Sequence, residues 1–407
     1  MKNTMRKVMD GNRAAVEAFK LARVKVISAY PITPQSPIAE KLSEWATGDE
    51  PPARYIRVES EHTAISCAIG AQLTGVRAAT ATSSVGLALM HELLGVASGC
   101  RIPLVMAIVN RALVSPWSLW CDHQDSMSVR DAGWLQFYAE NVQEILDLLI
   151  MAYKIAEHDD VLLPAMVCFD GFFLSHSLQP VEVPGREKVD EFLPPYRSKN
   201  MYLDPRNPMF INNLTPPEEF SEMRYQQEVA FDNARSVIPL VQQEFFRAFG
   251  RKYSPVEDYL CADADALLVT LGSMAGTAKY TADKLRRQGK KVGVVKITSF
   301  RPFPTEELRN LTRSKPIIGV LDRSAPAGAR GGPVWLEANA ALNETNTRVF
   351  SYIAGLGGRD ITEMTIEKIF MELLNNLDSA LSQPADSWID TGADAMNIRK
   401  VGQDVRN

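Results

Sequence analysis

The sequence has little of what marks a metalloprotein, a nucleic-acid-binding protein or a membrane protein. Its 407 residues include five cysteines, and none forms a Cys-x-x-Cys pair, so a zinc site or an iron–sulfur cluster held by this chain alone is not expected. The formal net charge is -5 and no long basic run occurs, which argues against nucleic-acid binding. No stretch reaches the ~18 apolar residues that span a bilayer, and Met1–Arg6 lacks the apolar core of a signal peptide. We therefore expect a cytoplasmic protein without membrane insertion.

Several catalytic motifs are also missing. Ser84 does not lie in the Gly-x-Ser-x-Gly elbow of α/β hydrolases, which disfavours a serine nucleophile. The glycine clusters at 328–332 and 355–358 lack Gly-x-Gly-x-x-Gly spacing after a strand, and no Walker A sequence occurs. Three histidines share no short metal-ligand spacing and are expected to be hydrogen-bonded polar residues: His62, His123 and His176.

What is present is an alternation of apolar runs and helical patterns, at the spacing of a parallel α/β sheet. The alternation occupies the first 170 residues and resumes after residue 266, and the chain is longer than one hydrophobic core usually grows. The sequence predicts an α/β fold with two doubly wound parallel-sheet domains, at 1–235 and 255–376, followed by a polar C-terminal tail at 377–407. The first domain is expected to end in an extended connector at about 179–215, and a charged helix at 218–251 leads to the second.

The segment 30–37, Tyr-Pro-Ile-Thr-Pro-Gln-Ser-Pro, is the stiffest predicted loop. It follows the apolar run 24–27 and precedes a helical pattern, so it leaves the carboxyl end of a strand. Each proline fixes its own φ and favours extended geometry in the residue before it, which holds Thr33 in one orientation. Open α/β sheets bind ligands at this edge, although a rigid structural connection is the alternative.

Two further side chains follow predicted strands. Glu61 opens a helix of small residues, where the helix dipole favours a carboxylate, and a capping role is the alternative. Arg111 follows the apolar run 103–109 and offers a planar fork to a carboxylate, and a structural ion pair is the alternative. Because the carboxyl ends of parallel strands converge on one edge, we expect Thr33, Glu61 and Arg111 to meet at one crevice.

Taken in order, a set of short segments resembles the alpha subunit of 2-oxoacid:ferredoxin oxidoreductases, of which the pyruvate enzyme is the best-known member. The segments are Tyr30–Pro34, Glu59–His62, Asn110–Leu113, Asp122–Asp125 with Arg130–Trp134, and Gly355–Asp360. The ordered set runs from about residue 10 to residue 375 and is far more specific than any one motif. The resemblance implies a thiamine diphosphate enzyme, with a pyrimidine-binding-type domain, a transketolase C-terminal-like domain and a site between two subunits.

The resemblance also implies roles for individual residues. In the family, a glutamate at the position of Glu61 hydrogen-bonds the aminopyrimidine ring nitrogen of the cofactor. The threonine and the arginine that match Thr33 and Arg111 hold the substrate carboxylate. Further cofactor contacts are implied for a second set of residues: Tyr30, Pro31, Ile32 and Ser84. No metal site is implied on this chain.

The resemblance also implies partner chains, and what this chain lacks fits that implication. A thiamine-type diphosphate site needs a Gly-Asp-Gly motif and a following asparagine to hold Mg²⁺, and no Gly-Asp-Gly occurs here. The resemblance therefore implies a beta-type subunit that carries the diphosphate and Mg²⁺ half-site. It also implies a gamma-type subunit and a ferredoxin-like subunit with iron–sulfur clusters, and coenzyme A is the implied co-substrate.

The implied reaction is the oxidative decarboxylation of a 2-oxoacid to acyl-CoA and CO₂, with pyruvate favoured and ferredoxin as the electron acceptor. Thr33 argues against the oxalate-using branch, where an arginine would be expected. Trp117 and Trp120, close to Arg111 in the sequence, leave open an aromatic or branched 2-oxoacid such as phenylglyoxylate, with NAD as final acceptor, beside a packing role. Two alternatives come from other classes: a non-catalytic assembly subunit, and a nicotinamide-dependent dehydrogenase, which the missing dinucleotide fingerprint disfavours.

Overall fold

The alternating apolar runs fold into two large β-sheets and one small one in the computed structural model, which describes residues 4–47, 52–198, 201–377 and 387–391. The strands are β1 (Thr4–Met9), β2 (Val26–Ser28), β3 (Arg54–Ile56), β4 (Ala78–Thr82), β5 (Val105–Asn110), β6 (Leu135–Tyr138), β7 (Ala165–Asp170), β8 (Gln179–Pro184), β9 (Val256–Tyr259), β10 (Ala266–Leu271), β11 (Val292–Ile297), β12 (Ser299–Arg301), β13 (Ile317–Asp322), β14 (Arg348–Ile353) and β15 (Ser387–Trp388).

The helices lie between these strands and cover the sheets. They are α1 (Gly11–Leu21), α2 (Ser36–Trp45), α3 (Glu61–Leu73), α4 (Ser84–Leu89), α5 (His91–Gly99), α6 (Gln124–Ser128), α7 (Val142–Ala156), α8 (Arg186–Phe192), α9 (Pro217–Phe249), α10 (Met274–Arg287), α11 (Thr305–Thr312), α12 (Pro333–Leu342) and α13 (Glu363–Asn375). Among them, no helix is both long and apolar enough to cross a membrane.

The first large sheet has seven strands in the order β12-β6-β7-β5-β4-β2-β3. Its strands from β6 to β3 run parallel, whereas β12 pairs antiparallel with β6. The central strands β4, β5 and β7 are buried along their whole length, as expected when helices cover both faces of a parallel sheet. On β5, Val105 and Ala107 pack with α1 and α7, and Met106 and Ile108 pack with α3 and α5 on the other face.

The second large sheet has six strands in the order β15-β14-β13-β10-β11-β9, all parallel except β9. Helices α10 and α13 cover its outer face. On its inner face, Leu267 and Val295 join the same hydrophobic cluster as Met106 and Ile108 of the first sheet. The two halves of the chain therefore share one continuous core.

The prediction of an α/β fold with two parallel-sheet domains is confirmed. The connector is less extended than expected, because 179–215 contains β8, which pairs antiparallel with β1, and the helix α8. The charged helix after it is α9. The domain limits 1–235 and 255–376 stay a prediction, and most of 377–407 lies outside the described residues.

Candidate functional site

The predicted site residues lie at the carboxyl edge of four neighbouring strands of the first sheet. Thr33 follows β2, Glu61 follows β3, Ser84 follows β4 and Arg111 follows β5, and these strands are adjacent in the order β5-β4-β2-β3. The sheet therefore brings loops that are up to 78 residues apart in sequence to one edge.

Hydrogen bonds on its buried side hold the Pro-rich loop, residues 30–37, in place. The N–H of Gln35 donates to the carbonyl oxygen of Ile32 at 2.7 Å, and the side-chain oxygen of Gln35 accepts from the N–H of Ile32 at 3.3 Å. Asn12 at the start of α1 donates to the carbonyl oxygen of Pro34 at 3.0 Å. Because Asn12, Pro34 and Gln35 are buried while Thr33 is exposed, the loop is held in one conformation and presents Thr33 at the surface of the edge.

Arg111 lies directly beyond β5 and is 5% exposed. Its Nη1 donates to the carbonyl oxygen of Thr33 at 2.8 Å, and its Nε donates to the carbonyl oxygen of Ser118 at 3.3 Å. Both acceptors are neutral, and no carboxylate within the described ranges forms an ion pair with this guanidinium. Burial lowers the pKa of Arg111, and the charge of Asp125 opposes that shift. A desolvated cation with unused N–H groups is suited to bind the carboxylate of a ligand.

Glu61 is the first residue of α3, and its 7% exposure leaves it almost buried. Ser60 caps the helix by accepting from the N–H of Thr63 at 3.3 Å, whereas no group in the described part of the chain donates to the Glu61 carboxylate. Gly86 of α4 lies against it: a Cβ there would come within 2.7 Å of Glu61 Oε1 and closer still to Thr82 Oγ1. The carboxylate therefore lies at the N-terminus of α3 without a donor among the described residues, and it is left free to bind a partner.

Asp125 ties the loops after β4 and β5 together, although the sequence motif gave it no role. Its buried carboxylate accepts from the N–H of Ser84 at 2.9 Å, the N–H of Arg111 at 3.0 Å and Asn110 Nδ2 at 2.8 Å. Burial raises the pKa of Asp125 to about 6, against the hydrogen bonds that lower it. The Ser84 hydroxyl donates to the carbonyl oxygen of Ala112 at 2.5 Å. Ser84 is therefore buried, and its side chain is already used within the protein.

The other predicted cofactor residues lie on the outer part of the Pro-rich loop. Tyr30 and Pro31 are exposed and Ile32 is partly buried. No hydrogen bond within the described ranges joins Glu61 to Thr33 or to Arg111. Glu61 lies against Gly86 of α4, and the first residue of that helix, Ser84, shares the Asp125 carboxylate with Arg111.

The two tryptophans after Arg111 have different surroundings. The Trp120 ring lies 4.7 Å from the Phe172 ring, and Gly358 of the second half packs against the Trp120 Cβ. Trp117 is 77% exposed. Trp120 is 55% exposed in spite of these contacts, so both rings keep surface that is available to a ligand or to another chain.

Asp170, at the end of β7, joins the two halves of the chain beside the site, and sequence reasoning did not find it. Its carboxylate accepts from Arg323 Nη1 at 2.9 Å, lies 2.6 Å from His123 Nε2 and also bonds the Ser273 hydroxyl. All except Ser273 are almost completely buried. Burial by itself would raise the pKa of Asp170, but His123 and Arg323 hold it well below its usual range.

Two of the three histidines, His123 and His176, are hydrogen-bonded through their rings as predicted, whereas the His62 ring makes no hydrogen bond to another described residue. His123 bonds Asp170, His176 Nδ1 lies 2.7 Å from the Ser175 hydroxyl, and His62 Nε2 lies 3.6 Å from Glu92. The ligand atoms of Cys121, His123 and Asp170 lie within 4.8 Å of one another, but Arg323 already supplies the positive charge at this point.

Two protein-family models match the chain. Residues 17–243 match the model described as pyruvate flavodoxin/ferredoxin oxidoreductase, thiamine diphosphate-binding, and residues 264–366 match the pyruvate:ferredoxin oxidoreductase core domain II. The pyruvate synthase subunit PorA of Pyrococcus abyssi is 50% identical over 380 residues, which is 93% of each chain. The ketoisovalerate oxidoreductase subunit VorA of Pyrococcus horikoshii is 45% identical over 389 residues, covering 95% of this chain and 98% of that one.

One solved structure shows how far the fold is shared. A 2-oxoglutarate:ferredoxin oxidoreductase from Magnetococcus marinus matches with a TM-score of 0.70 over 93% of this chain and 66% of that one, at 19% identity. At that identity the likeness concerns the fold alone.

Proposed function

The chain belongs to the pyruvate flavodoxin/ferredoxin oxidoreductase family, and we propose that it is the alpha subunit of an enzyme that oxidises pyruvate. The reaction converts pyruvate and coenzyme A to acetyl-CoA and CO₂. The two electrons that are released pass one at a time through iron–sulfur clusters to ferredoxin. The observation that carries the assignment of the substrate site is the Arg111 guanidinium, a nearly buried cation that is anchored on the Thr33 carbonyl and forms no ion pair with a described carboxylate.

Arg111 binds the substrate carboxylate in this proposal. Two of its N–H groups are fixed on the carbonyl oxygens of Thr33 and Ser118, which sets the plane of the guanidinium and leaves the other N–H groups for the ligand. A charge-assisted pair in this partly desolvated position is stronger than the same pair in water. The Thr33 hydroxyl, exposed beside it, donates a further hydrogen bond to the same carboxylate.

The residues around Glu61 fit the aminopyrimidine of thiamine diphosphate. The Glu61 carboxylate has no partner within the described ranges. Gly86 lies so close to it that any side chain at position 86 would collide with the carboxylate, and the absence of a side chain leaves that space open. The buried hydroxyls of Thr82 and Ser83 are also unpaired within the described ranges. When bound, thiamine diphosphate supplies the nucleophilic carbon and the electron sink of the reaction. Glu61 would hold a proton on the pyrimidine ring nitrogen, while Tyr30, Pro31 and Ile32 border the ring and Ser84 holds the start of α4 in place.

Other subunits complete the enzyme. The chain has no Gly-Asp-Gly motif, and no pair of its five cysteines has cluster-type spacing. In our proposal a beta-type subunit holds the diphosphate and Mg²⁺, a ferredoxin-like subunit holds the iron–sulfur clusters, and a gamma-type subunit completes the complex. The relatives are themselves described as subunits, which supports a multisubunit enzyme.

A branched 2-oxoacid is the second candidate substrate. It is favoured by the 45% identity to the ketoisovalerate subunit, only slightly below the 50% identity to the pyruvate subunit.

A substrate panel on the intact complex tests the proposal. Pyruvate, 2-oxoisovalerate, 2-oxoglutarate and phenylglyoxylate are compared by CoA-dependent reduction of ferredoxin, viologen and NAD⁺. We expect the highest kcat/KM for pyruvate with ferredoxin. A preference for 2-oxoisovalerate would favour the second candidate, and no 2-oxoacid-dependent reduction would overturn the enzymatic assignment.

A further inference from the structure

A cavity of about 620 Å³ lies at the opposite edge of the first sheet from the site described above. It is bordered by the end of α3, the segment that precedes β5, the turn after α7, the connector and the start of α9. The six residues of β5 separate this edge from Arg111, a distance of about 20 Å at the usual rise of a strand. The cavity is thus too far away to take part in substrate binding at Arg111.

The wall of the cavity is largely apolar. Leu73 and Ile102 come from the body of the first domain, whereas Ile211, Phe220 and Met223 come from the connector and α9. Its volume is in the range that encloses most of the surface of a small organic ligand. A fully hydrated inorganic ion would leave such a wall without a partner.

Three arginines line the same cavity: Arg101, Arg197 and Arg224. In the described part of the chain, none of them forms an ion pair with a carboxylate. The two acids in the wall are already engaged, because Glu157 pairs with Arg77 at 2.6 Å and Asp159 has a partner of its own. The cavity therefore carries an excess of positive charge.

Arg101 is the clearest case of a cavity arginine without an acidic partner. Its guanidinium donates to the carbonyl oxygens of Val161 at 2.5 Å, Leu162 at 3.1 Å and Gln226 at 3.3 Å, all of them neutral. Burial lowers its pKa, and no neighbouring acid opposes the shift. A half-buried cation without a counter-charge is costly unless an anion binds beside it.

We infer that this cavity binds an amphipathic organic anion, with an apolar body in the pocket and a carboxylate-type group paired with the arginines of its wall. Neutral apolar molecules would leave the arginines unpaired, and small inorganic anions would leave the apolar wall uncovered. The site is separate from the proposed catalytic function, so its test does not depend on which 2-oxoacid the enzyme uses.

The test is calorimetric titration of the intact complex with octanoate, compared with 1-octanol. We expect saturable octanoate binding with one site per chain and much weaker binding of the alcohol. Arg101→Gln should weaken octanoate binding at least about tenfold, because a hydrogen bond from a partly buried charged group is lost. Arg197→Gln should weaken it by about threefold, as expected for an exposed charge.

Arg197 has no other partner among the described residues, so its replacement tests the charge without a folding cost. Arg313→Gln, an exposed arginine of the second half, is the matched control and should bind octanoate as the wild type does. Absence of saturable binding, equal binding of octanol, or unchanged affinity in both the Arg101 and the Arg197 variants would overturn the inference. The rate with saturating pyruvate should be unchanged in the Arg197 variant, which separates this site from the catalytic one.

Discussion

The guanidinium of Arg111 donates a hydrogen bond of 2.8 Å to the main-chain carbonyl oxygen of Thr33, and this bond spans the edge of strand β4, which lies between β5 and β2. Because the acceptor is main chain, a change of the Thr33 side chain leaves the anchor in place. The two residues can therefore be tested separately.

Arg111→Ala should raise KM for pyruvate by an amount corresponding to about 2–4 kcal/mol, because the substrate carboxylate loses a charge-assisted partner. Thr33→Ala should have a smaller effect, since Arg111 stays anchored. Steady-state kinetics on the intact complex measure both, with Arg57→Ala at an exposed arginine as the control. An unchanged KM in both variants would favour a non-catalytic assembly subunit.

Glu61→Gln should lower the rate of CO₂ release at least about 100-fold, because glutamine cannot hold the proton on the pyrimidine nitrogen. Folding should be little affected, as the side chain makes no described hydrogen bond. Glu59→Gln, an exposed acid two residues earlier, is the control and should keep most of the activity. Full activity of the Glu61 variant would remove that residue from the mechanism.

Gly86→Ala should reduce cofactor affinity and activity, because the new methyl group would collide with Glu61 Oε1 and Thr82 Oγ1. The flexible carboxylate is the group that moves. Gly95→Ala is the control, because no atom lies within 4 Å of the added Cβ. We expect this variant to have normal activity and its helix α5 to be more stable by up to about 1 kcal/mol. Equal thiamine diphosphate titration curves for both variants would contradict the assigned packing.

Asp125→Asn should lower kcat/KM, because it disturbs the bonds that position Ser84 and Arg111. The folded-state pKa of about 6 lies above the ordinary value of 3.8, so the stability from this group is complete below about pH 4 and is lost as pH rises through 6. The variant does not titrate and should lack this slope in urea unfolding between pH 4 and pH 7. An identical slope in both proteins would show that Asp125 titrates elsewhere.

Asp170→Asn should lower the free energy of unfolding at pH 7 by about 3–5 kcal/mol, because Arg323 would remain as a buried cation without its counter-charge. The lowered pKa of Asp170 means that this stability is present above about pH 4 and is lost at lower pH, so the two proteins should converge in acid. Asp131→Asn, at a 76% exposed side chain, should change stability by less than about 1 kcal/mol.

The convergence of Thr33, Glu61 and Arg111 on one edge could be predicted because each follows an apolar run directly, and parallel strands end at a common edge. The stiffness of the Pro-rich loop was visible in its prolines. The roles assigned to these residues came from the family resemblance instead.

The Asp170–Arg323 pair could not be predicted in the same way. Asp170 ends a strand of the first sheet and Arg323 follows a strand of the second, and the two residues are 153 positions apart, so no local pattern links them. Asp125 was part of a quoted motif, but a carboxylate that accepts main-chain N–H groups leaves no periodic signal. The β1–β8 pair was missed because the two strands form a separate two-stranded sheet and several of their residues are exposed, so neither carries a continuous apolar run.

Strand β12 belongs by sequence to the second half of the chain, yet it completes the first sheet by pairing with β6. A break in the polypeptide near residue 255 would leave the buried strand β6 with an open edge, so the two halves should aggregate when produced separately. In the intact chain, the pairing of β12 with β6 prevents a hinge motion that would separate the two halves. In the proposed enzyme, pyruvate and coenzyme A would therefore reach the site without the two halves of this chain moving apart.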